Sequence, residues 1–103
     1  MKFDDYAISP LIKEQLNVLG YKKPTDIQFK SISHILNGED VMAVAQTGTG
    51  KTAAFAIPVL HKLIVSKSRI KGVRCLVMVP TRELANQITD VFKTIGKSSN
   101  VKI

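Results

Sequence analysis

The sequence predicts an α/β architecture, helices flanking a parallel sheet, with the sheet incomplete. Three observations carry this expectation. Helical stripes of apolar residues alternate with short, continuously apolar runs, the pattern of strands covered on both faces. A glycine-rich turn, GTGK at 48–51, joins one such run to a helix. Only two complete strand runs and the opening of a third, VKI at 101–103, occur in the 103 residues. That is too few for a finished doubly wound sheet, so the chain reads as the N-terminal piece of a longer protein.

The elements follow in order. Ser9 caps the first helix and Pro10 suits its first position. Leu11, Ile12, Leu16 and Leu19 form its apolar stripe, and Gly20 ends it. Pro24 keeps the preceding residue extended. Thr25 and Gln28 have the spacing of a capping box for a second helix, which Ile27, Ile32, Ile35 and Leu36 make apolar and Asn37-Gly38 closes. VMAVA at 41–45 reads as a buried strand. A helix follows over 51–67, with Pro58 inside it either kinking the helix or accommodated at a cost. A polar loop at 66–72 leads to a second strand, VRCLVMV at 73–79, which Pro80 stops. Thr81 caps the last helix, on which Leu84, Ile88, Val91, Phe92 and Ile95 recur at helical spacing before Gly96.

Composition narrows the class. With 45% hydrophobic residues the chain fits one globular domain at most. No apolar run approaches the roughly 20 residues of a membrane-spanning helix. MKFDDYAISP has no apolar segment of the signal-peptide kind. Cys75, the single cysteine, reads as a small buried residue in a reducing compartment, and Met42 and Met78 read as core. His34 and His61 show no metal spacing and read as helix-surface or packing residues. The net charge of +7 is unevenly placed. Residues 1–60 carry six lysines and six acids, whereas residues 61–103 carry nine bases against Glu83 and Asp90. A basic half attracts polyanions such as nucleic acid, although the same residues equally suit solvated surfaces.

The motif with chemical content is AQTGTGKT, Ala45–Thr52. Its Gly-x-Gly-Lys-Thr core between strand and helix is a polyphosphate cradle. Gly48 and Gly50 let backbone amides turn inward, and the helix N-terminus adds free N–H groups and a favourable dipole. Lys51 reaches the β- and γ-phosphates, and the Thr52 hydroxyl suits Mg²⁺. Ala45 stands where the general pattern has Gly. Such a loop specifies a nucleoside triphosphate and no more.

Three stretches together resemble the start of a DEAD-box ATP-dependent RNA helicase. Phe3, 17 residues before Gly20, with GYKKPTDIQ at 20–28, resembles the family's Q motif. AQTGTGKT resembles its motif I, leading Ala45 included, and PTRELA at 80–85 resembles motif Ia. Asp26 stands where many members have Pro, a change expected to be tolerated after the capping residue. The resemblance implies a partial RecA-like ATP-binding domain over residues 1–103, with a Q-motif region at 1–28 and the P-loop and motif Ia region at 41–103.

The implied roles are these. Gln28 hydrogen-bonds the adenine edge, Tyr21 stacks on the base, and Lys23 lies along its other side. Phe3 packs against this segment rather than touching ATP. Ala45, Gln46, Thr47, Gly48, Thr49, Gly50, Lys51 and Thr52 hold the phosphates. Lys51 and Thr52 are the catalytic pair, with Thr52 on Mg²⁺ bound with ATP. Pro80, Thr81 and Arg82 contact the RNA backbone, so RNA binding is sequence-tolerant.

No strand run ends in an acid that could hold Mg²⁺, and Asp90 falls on a helix. The DEAD tetrapeptide, the rest of the first domain and a second RecA-like domain are absent from this stretch. The resemblance therefore implies ATP-driven local unwinding of RNA duplexes by a longer protein, and no hydrolysis by this stretch alone. The alternative is a short module that binds nucleotide or RNA without turnover. A core beginning almost at residue 1 resembles compact bacterial members and implies a cytoplasmic location.

Overall fold

Four α-helices form where the capping residues place them in the computed structural model, which describes residues 2–45, 50–66 and 72–103. Helix α1 spans Pro10–Val18, and the Ser9 hydroxyl accepts from the Leu11 N–H at 3.3 Å. Helix α2 spans Asp26–Leu36 behind the expected capping box. Asp26 occupies its first turn, where a negative charge suits the helix dipole. Helix α3 runs Lys51–Val65 directly after Gly50, and α4 runs Arg82–Ile95 with the Thr81 hydroxyl accepting from the Leu84 N–H at 3.2 Å. A short 3₁₀ turn, Phe3–Asp5, precedes them.

Helix α3 is the centre of the packing, with α2, α4 and α1 against it. Ile57 and Leu60 on α3, Ile12 and Leu16 on α1, and Ile32 on α2 are wholly buried. Each such side chain contributes about 1.5–3 kcal/mol of burial. Phe55 and Phe92 join α3 to α4 with ring centroids 5.9 Å apart. Pro58 sits inside an unbroken α3 and is itself buried in the core. The cost of its missing N–H, about 3 kcal/mol, is thus offset by packing rather than relieved at a helix end.

The expected sheet differs from what is found. Among the described residues there is no strand, and neither 41–45, 73–79 nor 101–103 takes part in a ladder. Met42 is 96% exposed and Met78 85%, with Val44, Val73 and Leu76 also in solvent. The reading of Met42, Met78 and Cys75 as core is therefore corrected: Cys75 is an exposed free thiol. The physical reason is that a parallel strand is buried only when neighbours pair with both edges and helices cover both faces. These apolar runs have helices on one side and no described neighbour to pair with. An open hollow of about 660 Å³ lies beside the runs at 73–79 and 101–103, lined by Leu63, Cys75, Val77, Ile88, Phe92 and Val101 among others. The loop at 67–71 lies outside the described residues. No described helix is long and apolar enough to cross a membrane.

Candidate nucleotide site

The site is built where the N-terminus of α2 meets the N-terminus of α3. At α2, the Thr25 N–H donates to Gln28 Oε1 at 3.0 Å, and the Gln28 N–H reaches Thr25 Oγ1 at 3.5 Å. The capping box leaves the far end of the Gln28 amide pointing across to the next element. Gln28 Nε2 donates to the Gly50 carbonyl at 3.2 Å, across 22 residues of sequence. Gln28 is only 4% exposed, so water does not compete for this bond. Gly50 takes a left-handed backbone, φ +79°, and a Cβ there would collide with Gln28 Nε2. Glycine is thus required at 50 both by backbone and by approach.

Helix α3 starts immediately after this contact. Its first intrahelical bond is the Ala54 N–H to the Gly50 carbonyl, 3.2 Å. The amides of Lys51, Thr52 and Ala53 precede it and have no acceptor within the helix. They add to the positive end of the α3 dipole. Lys51 is exposed and its Nζ donates to the Ala45 carbonyl at 2.7 Å, so the lysine folds back over the start of the loop. Thr52 is half-buried in the first turn. Gln46, Thr47, Gly48 and Thr49 lie outside the described residues.

This donor set suits a triphosphate: one ammonium, helix amides with no acceptor inside the helix and, among the described residues, no carboxylate bonded to Lys51. One hydroxyl, Thr52, also suits Mg²⁺ bound together with ATP, because that ion keeps waters and phosphate oxygens as most of its ligands. No cluster of three or more metal-ligating side chains occurs among the described residues.

The segment that carries Tyr21 is held by aromatic packing. Phe3 is buried, its ring centroid lies 6.3 Å from that of Tyr21, and its N–H donates to the Lys22 carbonyl at 3.3 Å. Phe3 therefore supports the segment, as expected. Tyr21 keeps 40% of its surface open, and Lys23 is exposed. Pro80, Thr81 and Arg82 are exposed at the start of α4. None of the described hydrogen bonds joins them to the nucleotide residues.

Two contacts were not foreseen from the sequence. The tie from Gln28 to Gly50 links residues that no local spacing connects. His61 Nδ1 accepts from the Ser9 N–H at 2.9 Å, fastening the start of α1 to α3. Burial, and secondarily the neighbouring Lys62 charge, pushes the His61 pKa down. His34 pairs with Glu39 at 2.9 Å on the surface. Among the described residues, the hollow beside 72–77 shares none with 45–52.

A family model described as DEAD/DEAH box helicase matches residues 25–103. The chain belongs to the DEAD/DEAH box helicase family. Among its relatives, the ATP-dependent RNA helicase DeaD of Escherichia coli is 46% identical over 95 residues, 92% of this chain and 15% of the relative. The ATP-dependent RNA helicase DRS1 of Candida glabrata is 45% identical over 95 residues, 92% of this chain and 13% of the relative. A crystal structure of a DEAD box protein from Methanococcus jannaschii matches with a TM-score of 0.85 at 38% identity, covering 100% of this chain and 27% of that one. This DEAD/DEAH box chain thus spans about an eighth to a fifth of the length of its curated relatives.

Proposed function

We propose that residues 1–103 are the N-terminal part of the first RecA-like domain of an ATP-dependent RNA helicase. The Q-motif region is 1–28, and the phosphate loop and motif Ia region is 41–103. The observation that carries the reading is the bond from Gln28 to Gly50. It brings a side chain suited to an adenine edge onto the end of a loop suited to phosphates. In this reading Tyr21 offers its open face to the base, Gln28 offers a donor and an acceptor to its edge, and Lys23 flanks it. Residues 45–52 wrap the phosphates. Lys51, now on the Ala45 carbonyl, would neutralise phosphate charge, and the Thr52 hydroxyl would help hold Mg²⁺. ATP, when bound with Mg²⁺, supplies the phosphoanhydride cleavage that drives the cycle.

Pro80, Thr81 and Arg82 contact RNA sugar-phosphate. The Thr81 oxygen is committed to its cap, yet its O–H remains free to donate to a phosphate, and Arg82 pairs with one. Apolar runs 41–45 and 73–79 become strands of a parallel sheet when the remainder of the first domain pairs with them. That remainder supplies the acid for Mg²⁺, since Asp90 is exposed on α4, and a second RecA-like domain closes the cleft. The free thiol of Cys75 suits a reducing, cytoplasmic compartment. Calorimetric titration of the chain with Mg-ATP, beside Lys51→Ala, tests the reading. Binding that disappears in the variant supports it, and binding of equal strength in both contradicts it.

A further inference from the structure

We infer that His61 is a positioning residue for the base side of the site: its ring holds an N-terminal strap, residues 3–9, against α3 and so keeps Tyr21 in place. This rests on the nucleotide reading above and deepens it. The strap is fastened at both ends. At one end the Phe3 N–H donates to the Lys22 carbonyl at 3.3 Å, and the Phe3 ring centroid lies 6.3 Å from that of Tyr21. At the other end the Ser9 N–H donates to His61 Nδ1 at 2.9 Å. Phe3, Tyr6 and Ile8 are buried, and Lys13 Nζ on α1 donates to the Asp4 carbonyl at 2.9 Å. The Tyr21 N–H in turn donates to the Leu16 carbonyl of α1 at 2.8 Å. Strap, α1 and Tyr21 thus form one unit. Among the described hydrogen bonds, the one to His61 alone joins that unit to α3.

The tie needs a neutral ring. A backbone N–H can only donate, so Nδ1 accepts and the ring proton sits on Nε2. Ser9 is buried, so its N–H has no water to turn to when the acceptor is lost. A protonated ring sets donor against donor and releases this end of the strap. Burial, and next the Lys62 charge on α3, favour the neutral form. Lys13 is turned to Asp4, while Glu14 on α1, Lys30 on α2 and Asp90 and Lys93 on α4 are exposed, and none of these shifts the ring. The tie is therefore whole near neutral pH and is lost as pH falls through the depressed folded value. Ile12 and Leu16 keep α1 in the core in either state, so the loss loosens the strap without unfolding the chain. Lys51 has no described bond to the strap, so the phosphate side is left as it was.

Binding of Mg-ATP and of Mg-tripolyphosphate is measured by calorimetry at about pH 7.5 and about pH 5 for the wild-type chain, His61→Asn and His61→Leu. Asn keeps an acceptor that does not titrate; Leu keeps bulk and no acceptor. The ligands' own protonation is common to all three chains and cancels in the ratios between them. At the higher pH, His61→Leu is expected to weaken ATP by about three- to tenfold and tripolyphosphate by less than about twofold, with His61→Asn like the wild type. At the lower pH, the wild type joins His61→Leu and His61→Asn holds. Hydrogen exchange at the Ser9 amide should quicken in the same chains and at the same pH. If His61→Leu does not fold, the wild type against His61→Asn across pH decides alone. A constant ATP ratio between those two overturns the inference. So does an equal loss of tripolyphosphate, which would make His61 a support of the whole fold; in both cases the nucleotide reading stands. A wild-type chain that binds neither ligand overturns the nucleotide reading and this inference with it.

Discussion

Replacing Gly50 by Ala isolates the packing of Gln28 on Gly50, provided Gly20→Ala is measured beside it. Both glycines hold nearly the same backbone, φ +79° and +82°. A Cβ at Gly20 meets nothing within 4 Å, whereas one at Gly50 collides with Gln28 Nε2. Gly20→Ala therefore carries backbone strain alone, about 1–2 kcal/mol in the left-handed region. Gly50→Ala carries the same strain and also displaces Gln28 from the Gly50 carbonyl, leaving buried polar groups unpaired at about 1–3 kcal/mol more. The entropy that alanine removes from the unfolded chain is common to both substitutions and cancels in the difference. Urea denaturation without nucleotide reads that difference directly. In thermal melts, each kcal/mol corresponds to roughly 4–8 °C for a chain of this size. In a Gln28→Ala background, the excess cost of Gly50→Ala should vanish. Equal costs for Gly50→Ala and Gly20→Ala, within about 0.5 kcal/mol, would refute the argued contact.

Three further outcomes are expected. The Tyr6 hydroxyl is buried with no hydrogen-bond partner among the described residues, and burial pushes its pKa up. Tyr6→Phe should therefore raise stability by about 1 kcal/mol in urea denaturation, since an orphan polar group is removed. The His61 pKa is lowered in the folded chain, so as pH falls the unfolded chain takes up the proton first. Stability supplied there is full above the ordinary histidine value of about 6.5 and is lost as pH drops from it through the depressed folded value. Melts between about pH 7.5 and 5.5 should show that loss, and His61→Asn, which keeps an acceptor for the Ser9 N–H, should flatten it. Thr81→Ala removes the α4 cap and should cost about 1 kcal/mol in the same assay.

The local chemistry of this chain was legible in its sequence, and the long-range completion was not. Ser9, Thr25 and Thr81 mark helix starts because a side-chain oxygen meets an N–H two or three residues on. Such a contact is fixed by spacing alone. Helix α3 was expected to reach residue 67 and ends at Val65, with Ser66 beyond it. The apolar runs at 41–45 and 73–79 have strand-like composition, but composition supplies no ladder partner. Their side chains stay in solvent because the sheet that would cover them needs more strands than these residues provide. Gln28 was legible as a cap and, through resemblance, as an adenine contact. Its bond to Gly50 was not, because the two residues stand 22 positions apart and nothing periodic between them signals that they meet. The same holds for His61 and Ser9, 52 residues apart, where only tertiary packing decides which histidine nitrogen faces which amide.

The account's central claim is that the Q-motif segment and the phosphate loop form one adenine-nucleotide pocket. The affinity of the wild-type chain for ATP against GTP, at equal Mg²⁺ and salt, tests it most directly. The claim predicts ATP tighter by about tenfold or more, about 1.4 kcal/mol, from the Gln28 amide meeting an edge whose donor and acceptor it fits. Equal affinity for the two would contradict it, leaving a phosphate loop that does not read the base.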